Sequence, residues 1–430
     1  MATVELWGGV ECTVNRVGEE YMDQLEQSGH KARLTDLDAI AELGLRRLRY
    51  PVLWEHVAPE SLDRPDWRWP DERLPRLQEL GIDPIVGLLH HGSGPRYTAL
   101  HADNFADGLA RYARLVAERY PWVNYYTPIN EPLTTARFSG LYGLWYPHAT
   151  DDRVFVRMMI NQTQATMRAM RAIREINPKA KLVQTEDLGK VHCTPALAYQ
   201  AEFENHRRWL SFDLLCGRVD DAHYLWRFLR DNGASRAELL EFVARPLPPD
   251  VLGLNYYVTS ERFLDDQLEY YPPRCLSNNR RDIYADVEAV RVLPVEMAGV
   301  KQLLREAWER YQLPLAVTEA HLGCTREEQM RWLQQVWNAA NELRREGVTM
   351  RAVTVWSLLG AFDWDSLLTR RGHSYESGVF DVRGGQLRPT ALFKMVQGLA
   401  RAGRYPHPLL AGPGWWQRHD RFVYRSEPIS

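Results

Sequence analysis

Val123-Asn-Tyr-Tyr-Thr-Pro-Ile-Asn-Glu-Pro132 opens as a strand and closes on a carboxylate. Its first part, Val123–Ile129, is a short β-type run of aromatic and branched side chains. A loop follows, then Arg153–Ile176, where apolar residues recur at three- and four-residue spacing until Asn177-Pro178 stops the pattern. Strand, loop and amphipathic helix make one βα unit. Similar runs stand at Glu5–Val10, Arg46–Tyr50, Asp83–Leu89, Lys181–Thr185, Val251–Asn255, Leu313–Thr318 and Ala352–Trp356. Most are near-continuously apolar, as parallel strands covered on both faces must be. Helical patterns fall between them. Asp103–Tyr120 is amphipathic, Thr325-Arg-Glu-Glu328 reads as a capping box opening a helix toward Glu346, Gly347 stops it, and Ala391–Ala402 is the last helix. Eight alternating units without sequence repeats predict an α/β fold, a closed (β/α)8 TIM barrel.

No low-complexity segment, charge block or Gly/Ser linker divides the chain, so residues 1–430 are expected to form a single barrel domain with long βα loops. Tyr256–Pro294 reads as an extended loop at the C-terminal face, where barrel enzymes do their chemistry. The formal net charge of -3 and the lack of a basic arm argue against a nucleic-acid partner. No apolar run reaches membrane-spanning length, and MATVELWGGV lacks the charged and apolar regions of a secretion signal. The five scattered cysteines show no metal or redox spacing, so reduced thiols and a cytoplasmic location are expected. Fifteen Trp and 20 Tyr suit a core, and equally suit stacking on sugar rings.

Two carboxylates follow strands directly: Glu131 after strand four, and Glu319 in Leu315-Ala-Val-Thr-Glu-Ala320 after strand seven. Strands four and seven lie on roughly opposite sides of an eight-stranded barrel, so these groups face each other across its mouth. A retaining glycosidase needs such a pair, one protonated to release the leaving oxygen and one ionised to attack the anomeric carbon. Repulsion and partial burial would keep the acid protonated. Asn130, beside Glu131, is placed to donate to a sugar hydroxyl. His90 and His91, with His101, have no third ligand at metal spacing, and alternation along a strand allows at most one of the adjacent pair to face the pocket. No metal or organic cofactor is expected. Trp356 ends a barrel strand and is a candidate stacking platform. Trp67 and Trp69 read as loop packing, and Glu186-Asp187, a third acidic feature at the mouth, as a solvated loop in preference to an extra substrate contact.

These motifs resemble glycoside hydrolase family 1, the β-glucosidase family, over almost the whole chain. The resemblance makes Glu131 of Asn130-Glu131-Pro132 the acid/base and Glu319 of Thr318-Glu319 the nucleophile. Arg49-Tyr-Pro-Val-Leu-Trp54 matches the family's Arg-Phe-Ser-x-x-Trp, which implies that Arg49 holds the nucleophile ionised. His90 matches a sugar-hydroxyl ligand. Asn255-Tyr256-Tyr257 matches the strand-six motif, with Tyr257 donating to the nucleophile. Trp356-Ser357-Leu358 through Asp363-Trp364 matches the strand-eight motif.

The match breaks at the sugar. Asn15 stands where the family has Gln, and Asp363 where it has Glu, each one methylene shorter. His91 replaces a Trp, Ala320-His321 replaces Asn-Gly, and Glu11 stands where the family has a small residue. Sites built on buried hydrogen bonds tolerate such gaps poorly. The expected function is therefore a retaining β-glycosidase with an altered glycone, acting on a small glycoside or oligosaccharide. Phe138, Tyr142 and Trp145 are candidates for an aglycone site. A phosphorylated sugar is disfavoured by repulsion from Asp363, although Arg370 and Arg371 follow closely. Transglycosylation through the same intermediate, and sugar binding without cleavage, are the alternatives.

Overall fold

The computed structural model describes residues 4–293 and 295–426. Eight parallel strands close into a barrel: Glu5–Gly9, Arg47–Pro51, Asp83–Gly87, Tyr125–Thr127, Lys181–Asp187, Val251–Tyr256, Leu315–Ala320 and Met350–Val355. Each pairs in parallel with its neighbours in chain order, and the first meets the eighth with Glu5 opposite Ala352. The eight expected strands and the TIM barrel are thus present, with ends shifted by a residue or a few. The fourth is the shortest. Pro128 has no N–H to continue the ladder, and pairing resumes only as single bridges from Asn130 to His90 and Thr185.

Helices cover the outside. Asp152–Ile176 is capped by Asp151, which accepts from the Arg153 N–H (2.7 Å). Ala391–Ala402 ends at Gly403, whose φ of 67° only glycine adopts readily. Arg326–Arg345 forms as expected, but not through a capping box. The Thr325 side chain caps nothing, and Glu328 instead accepts from Arg331, Arg418 and the Trp415 N–H. Charged partners outcompeted the local motif.

The expected loop Tyr256–Pro294 is also corrected. Pro294 lies outside the described residues, but the rest carries Glu261–Asp265, Leu276–Asn278 and Ile283–Glu288. With Lys190–Cys193 these form a four-stranded sheet beside the barrel mouth. It has its own small core of Phe263, Tyr271, Ala285 and Val287. Charged residues interleave with the apolar ones, which masked the strands. Trp67 and Trp69 do pack as read: they stack on Tyr112 and Tyr50 (ring centroids 6.4 and 5.7 Å).

Inside the barrel, Trp7, Ile85, Val183, Val251, Ala316 and Ala352 form a closed apolar layer. Below it, a cavity of about 380 Å³ opens at the N-terminal end, lined by charged residues such as Glu5, Arg47 and Arg351. Above it lies the polar chamber that holds the site.

Candidate active site

Arg49 stands in the middle of the second strand and points inward like Arg47 two residues earlier, as strand periodicity requires. Its Nη1 donates to Glu319 Oε1 (2.7 Å) and to the Thr318 carbonyl (2.7 Å), and its Nη2 donates to Asn130 Oδ1 (2.6 Å). The Tyr257 hydroxyl donates to the other oxygen of Glu319. The nucleophile candidate is therefore held from two sides, with a cation on one of them. Asn255 links the two carboxyls. Its Nδ2 donates to Glu131 Oε1 (2.6 Å), and its Oδ1 accepts from Thr318 Oγ1 (2.6 Å), next to Glu319.

Glu131 is 5% exposed. Burial raises its pKa well above the usual carboxyl range, the negative charges of Glu319, Asp187 and Glu186 raise it further, and the Asn255 hydrogen bond opposes them. Both causes favour its protonated form, as an acid catalyst requires. Its backbone is left-handed (φ 45°), and the helix Pro132–Gly140 starts directly after it. That helix is not capped by its own N-cap side chain. Glu186 does the work instead, accepting from the Leu133 N–H (2.8 Å) and the Thr134 N–H (3.4 Å). The reading of Glu186-Asp187 as a solvated loop is therefore corrected. Glu186 is fully buried, and burial lifts its pKa to about 7. Asp187, lifted to about 6 by desolvation, accepts from Ser260 Oγ (2.6 Å). A charge at the end of a strand looks solvated in sequence because the helix it caps is distant in the chain.

The two histidines bring another correction. Both face the chamber: the Nε2 atoms of His90 and His91 lie 3.2 and 3.3 Å from Asn130 Nδ2. His91 has φ 54°, which breaks the strand alternation and turns it inward beside its neighbour. Burial lowers both pKa values, to about 3 for His91, so both rings are neutral. His91 also shares a hydrogen bond with Thr135 (2.9 Å), and its Nε2 lies 3.5 Å from Glu131. Asn130 is therefore a joint rather than a free sugar donor. Its carbonyl accepts from Arg49 and from Thr185 Oγ1 (2.8 Å), and its amide lies against two imidazoles.

Trp356 floors the chamber. His90 stacks on it (5.6 Å between centroids), and the Arg49 guanidinium lies 4.6 Å from its ring centre. Asp363, expected to grip sugar hydroxyls, is committed to its own loop. It accepts from Gly372 N–H, Ser374 N–H and Gln27 Nε2 at 2.9–3.1 Å, and its φ of 58° makes the turn those bonds hold. The missing methylene keeps this carboxylate close to its own backbone. Asn15 donates to the Leu368 carbonyl (3.3 Å), and its buried Oδ1 has no protein partner. The buried indole N–H of Trp364 has none either, while its ring edges His91 and Trp145. Phe138 and Trp145 pack together (4.9 Å), and Tyr142 lies exposed at the rim. Thr185 and Thr135 were not singled out from the sequence, Thr318 entered only as part of the Thr318-Glu319 motif, and the capping role of Glu186 was missed. Only their position after, or at the end of, a barrel strand marked them.

The sequence profile of glycosyl hydrolase family 1 matches residues 13–375. Beta-glucosidase A of Thermotoga maritima is 24% identical over 383 residues, 78% of this chain and 78% of its own length. A bifunctional beta-D-glucosidase/beta-D-fucosidase of Bifidobacterium breve is 23% identical over 406 residues, 84% and 85% of the two chains. A phospho-cellobiase of Klebsiella oxytoca is 25% identical over 314 residues, 67% and 64% of the two. Among solved structures, a Thermotoga maritima beta-glucosidase in complex with a calystegine derivative superposes with a TM-score of 0.75 at 19% identity, covering 93% of this chain and 98% of that one. At that identity the likeness speaks for the fold.

Proposed function

From the premise that the chain belongs to glycosyl hydrolase family 1, we propose that it cleaves a β-linked sugar with retention, through a covalent glycosyl-enzyme, and that its glycone is not bound as plain glucose is in its relatives. The observation that carries the reading is the asymmetry of the two carboxyls. Glu319 is held by Arg49 and Tyr257, while Glu131 is held by Asn255 and buried, which raises its pKa. Glu319 attacks the anomeric carbon as Glu131 passes its proton to the leaving oxygen. Glu131, now ionised, takes a proton from water, and that water releases the sugar from Glu319. The altered glycone rests on Asp363, whose oxygens serve its own loop, and on the unpartnered Asn15 Oδ1 and Trp364 N–H.

The test is turnover of a panel of aryl β-glycosides: glucoside, galactoside, fucoside, mannoside, xyloside and glucuronide. Glu319→Gln serves as blank, and NMR reads the anomer formed first. One sugar cleaved to its β-anomer, with Glu319→Gln at least about a thousandfold slower, supports the reading. Turnover by Glu319→Gln at the wild-type rate, or an α-anomer formed first, overturns it.

A further inference from the structure

Glu11 is a carboxyl that the catalytic cycle above does not use. The first strand sets its direction. Trp7 belongs to the closed layer inside the barrel. Gly9, two residues on, faces Trp356 so closely that a Cβ there would lie 2.4 Å from the ring. Glu11 continues that face one step nearer the mouth, with its N–H donating to Ser357 Oγ (2.9 Å). It is 4% exposed. Its Oε1 accepts from the N–H and the hydroxyl of Thr13 (2.8 and 2.6 Å). Among the described residues its Oε2 accepts nothing, and it is not sealed off as the orphaned Asn15 Oδ1 is. Its carboxyl interacts electrostatically with Glu319, Arg49 and the Tyr257 hydroxyl, so it lies near the groups that hold the nucleophile.

We propose that Glu11 is a specificity-determining residue of the glycone subsite: its Oε2 takes a hydroxyl of an uncharged sugar, and its carboxylate turns away glycones that carry a carboxylate or a phosphate. The proposal rests on the β-glycosidase reading. The chamber's charge agrees with it. Glu11 lies near the Arg49–Glu319 pair, whose one guanidinium is already matched by the Glu319 carboxylate, and the two imidazoles are neutral. A further anion there meets repulsion in a desolvated space. Burial and the nearby Glu319 lift Glu11 to about 7. Near neutrality it both accepts and donates, and a hydroxyl can answer either state. Both oxygens of Asp363 and both of Glu319 already accept hydrogen bonds, whereas Glu11 Oε2 accepts none among the described residues.

The experiment compares wild type, Glu11→Gln and Thr13→Val. Substrates are the best uncharged aryl glycoside of the panel and its 6-phosphate and uronate counterparts. Glu11→Gln keeps an oxygen for Thr13 but loses the charge. Its kcat/KM on the uncharged glycoside is expected to fall about tenfold or more, chiefly through KM. The ratio of anionic to uncharged turnover is expected to rise about tenfold, with an unchanged melting temperature. Thr13→Val removes a clamp on Oε1 and is expected to leave the preference as in wild type. The inference is overturned if Glu11→Gln leaves both substrates unchanged, or if Thr13→Val shifts the preference as much. Failure of the enzymatic reading shows separately, as turnover by Glu319→Gln or none by wild type. Calorimetric binding of glucose, galactose and glucose 6-phosphate then decides: weaker neutral-sugar binding by Glu11→Gln sustains the proposal, and equal binding, or none by wild type, overturns it.

Discussion

A carboxyl that is to give up a proton must first hold one at neutral pH. At Glu131, burial and three negative neighbours make the ionised form costly and so favour that state. Replacing Glu131 with Gln removes the proton but not the attack by Glu319. The expected loss is about a hundredfold to ten-thousandfold on alkyl glycosides, and far smaller on nitrophenyl glycosides, whose leaving group departs without help. Measuring kcat/KM against leaving-group acidity checks this, and a loss equal for all leaving groups contradicts it. Asp187 tests the electrostatics without touching the pair. Its charge raises the Glu131 pKa, so Asp187→Asn lowers it. The acid must be protonated to work, so the alkaline limb of the kcat/KM profile moves to lower pH. A limb that stays in place, or rises, removes Asp187 from the account. At this scale much was readable: Glu131, Glu319, Arg49 and Tyr257 were named from strand ends and motifs. That the Asp363 carboxylate accepts from Gln27 could not be read, because Gln27 is remote in the chain.

Elements place these residues by their ends. The fourth strand stops at Thr127, and the helix Pro132–Gly140 begins just past Glu131, so the acid sits on a junction with a left-handed backbone. Glu186, from the end of the fifth strand, holds the helix's first N–H groups. Glu186→Ala is expected to cost about 1–2 kcal/mol of stability and to lower kcat at least about tenfold, since the junction loses its anchor. Thermal melts and kinetics on the same variant separate the two effects. Unchanged kcat with lowered stability would restrict Glu186 to a helix cap. The sequence was read as a loop after the fourth strand, so neither the helix from Pro132 nor its cap was foreseen. The sheet around Glu261–Asp265 was hidden in the same way, because its strands find partners only beside Lys190–Cys193.

At the scale of the molecule, the barrel carries buried acids that ionise with difficulty. Glu55 is one of them, away from the Arg49–Glu319 pair. It is 8% exposed, its Oε1 accepts from the Gly94 N–H (3.1 Å), and its Oε2 has no partner. Burial lifts its pKa to about 8. A raised acid favours the fold fully below its unfolded pKa, and that contribution drains away as pH rises toward the folded value. The slope is roughly 1.4 kcal/mol per pH unit for such a group. The wild type is therefore expected to melt at lower temperature at pH 8 than at pH 5.5, and Glu55→Gln to flatten that difference. Melts of the two proteins across this range check it, and parallel curves would mean that Glu55 ionises freely.

The sequence by itself determined the barrel and the pair at its mouth. Short apolar runs alternating with amphipathic helices leave few ways to bury both, and a carboxylate directly after a parallel strand has one place to go. The tertiary structure alone decided which polar groups are free. Asn130 and Asp363 are consumed by neighbours; His91 turns in beside His90; Glu186 caps a helix; Glu11 keeps one oxygen open. Hydrogen bonds form between side chains far apart in the chain, and whether a buried group has a partner is a property of the packed chamber, not of the residues that enter it.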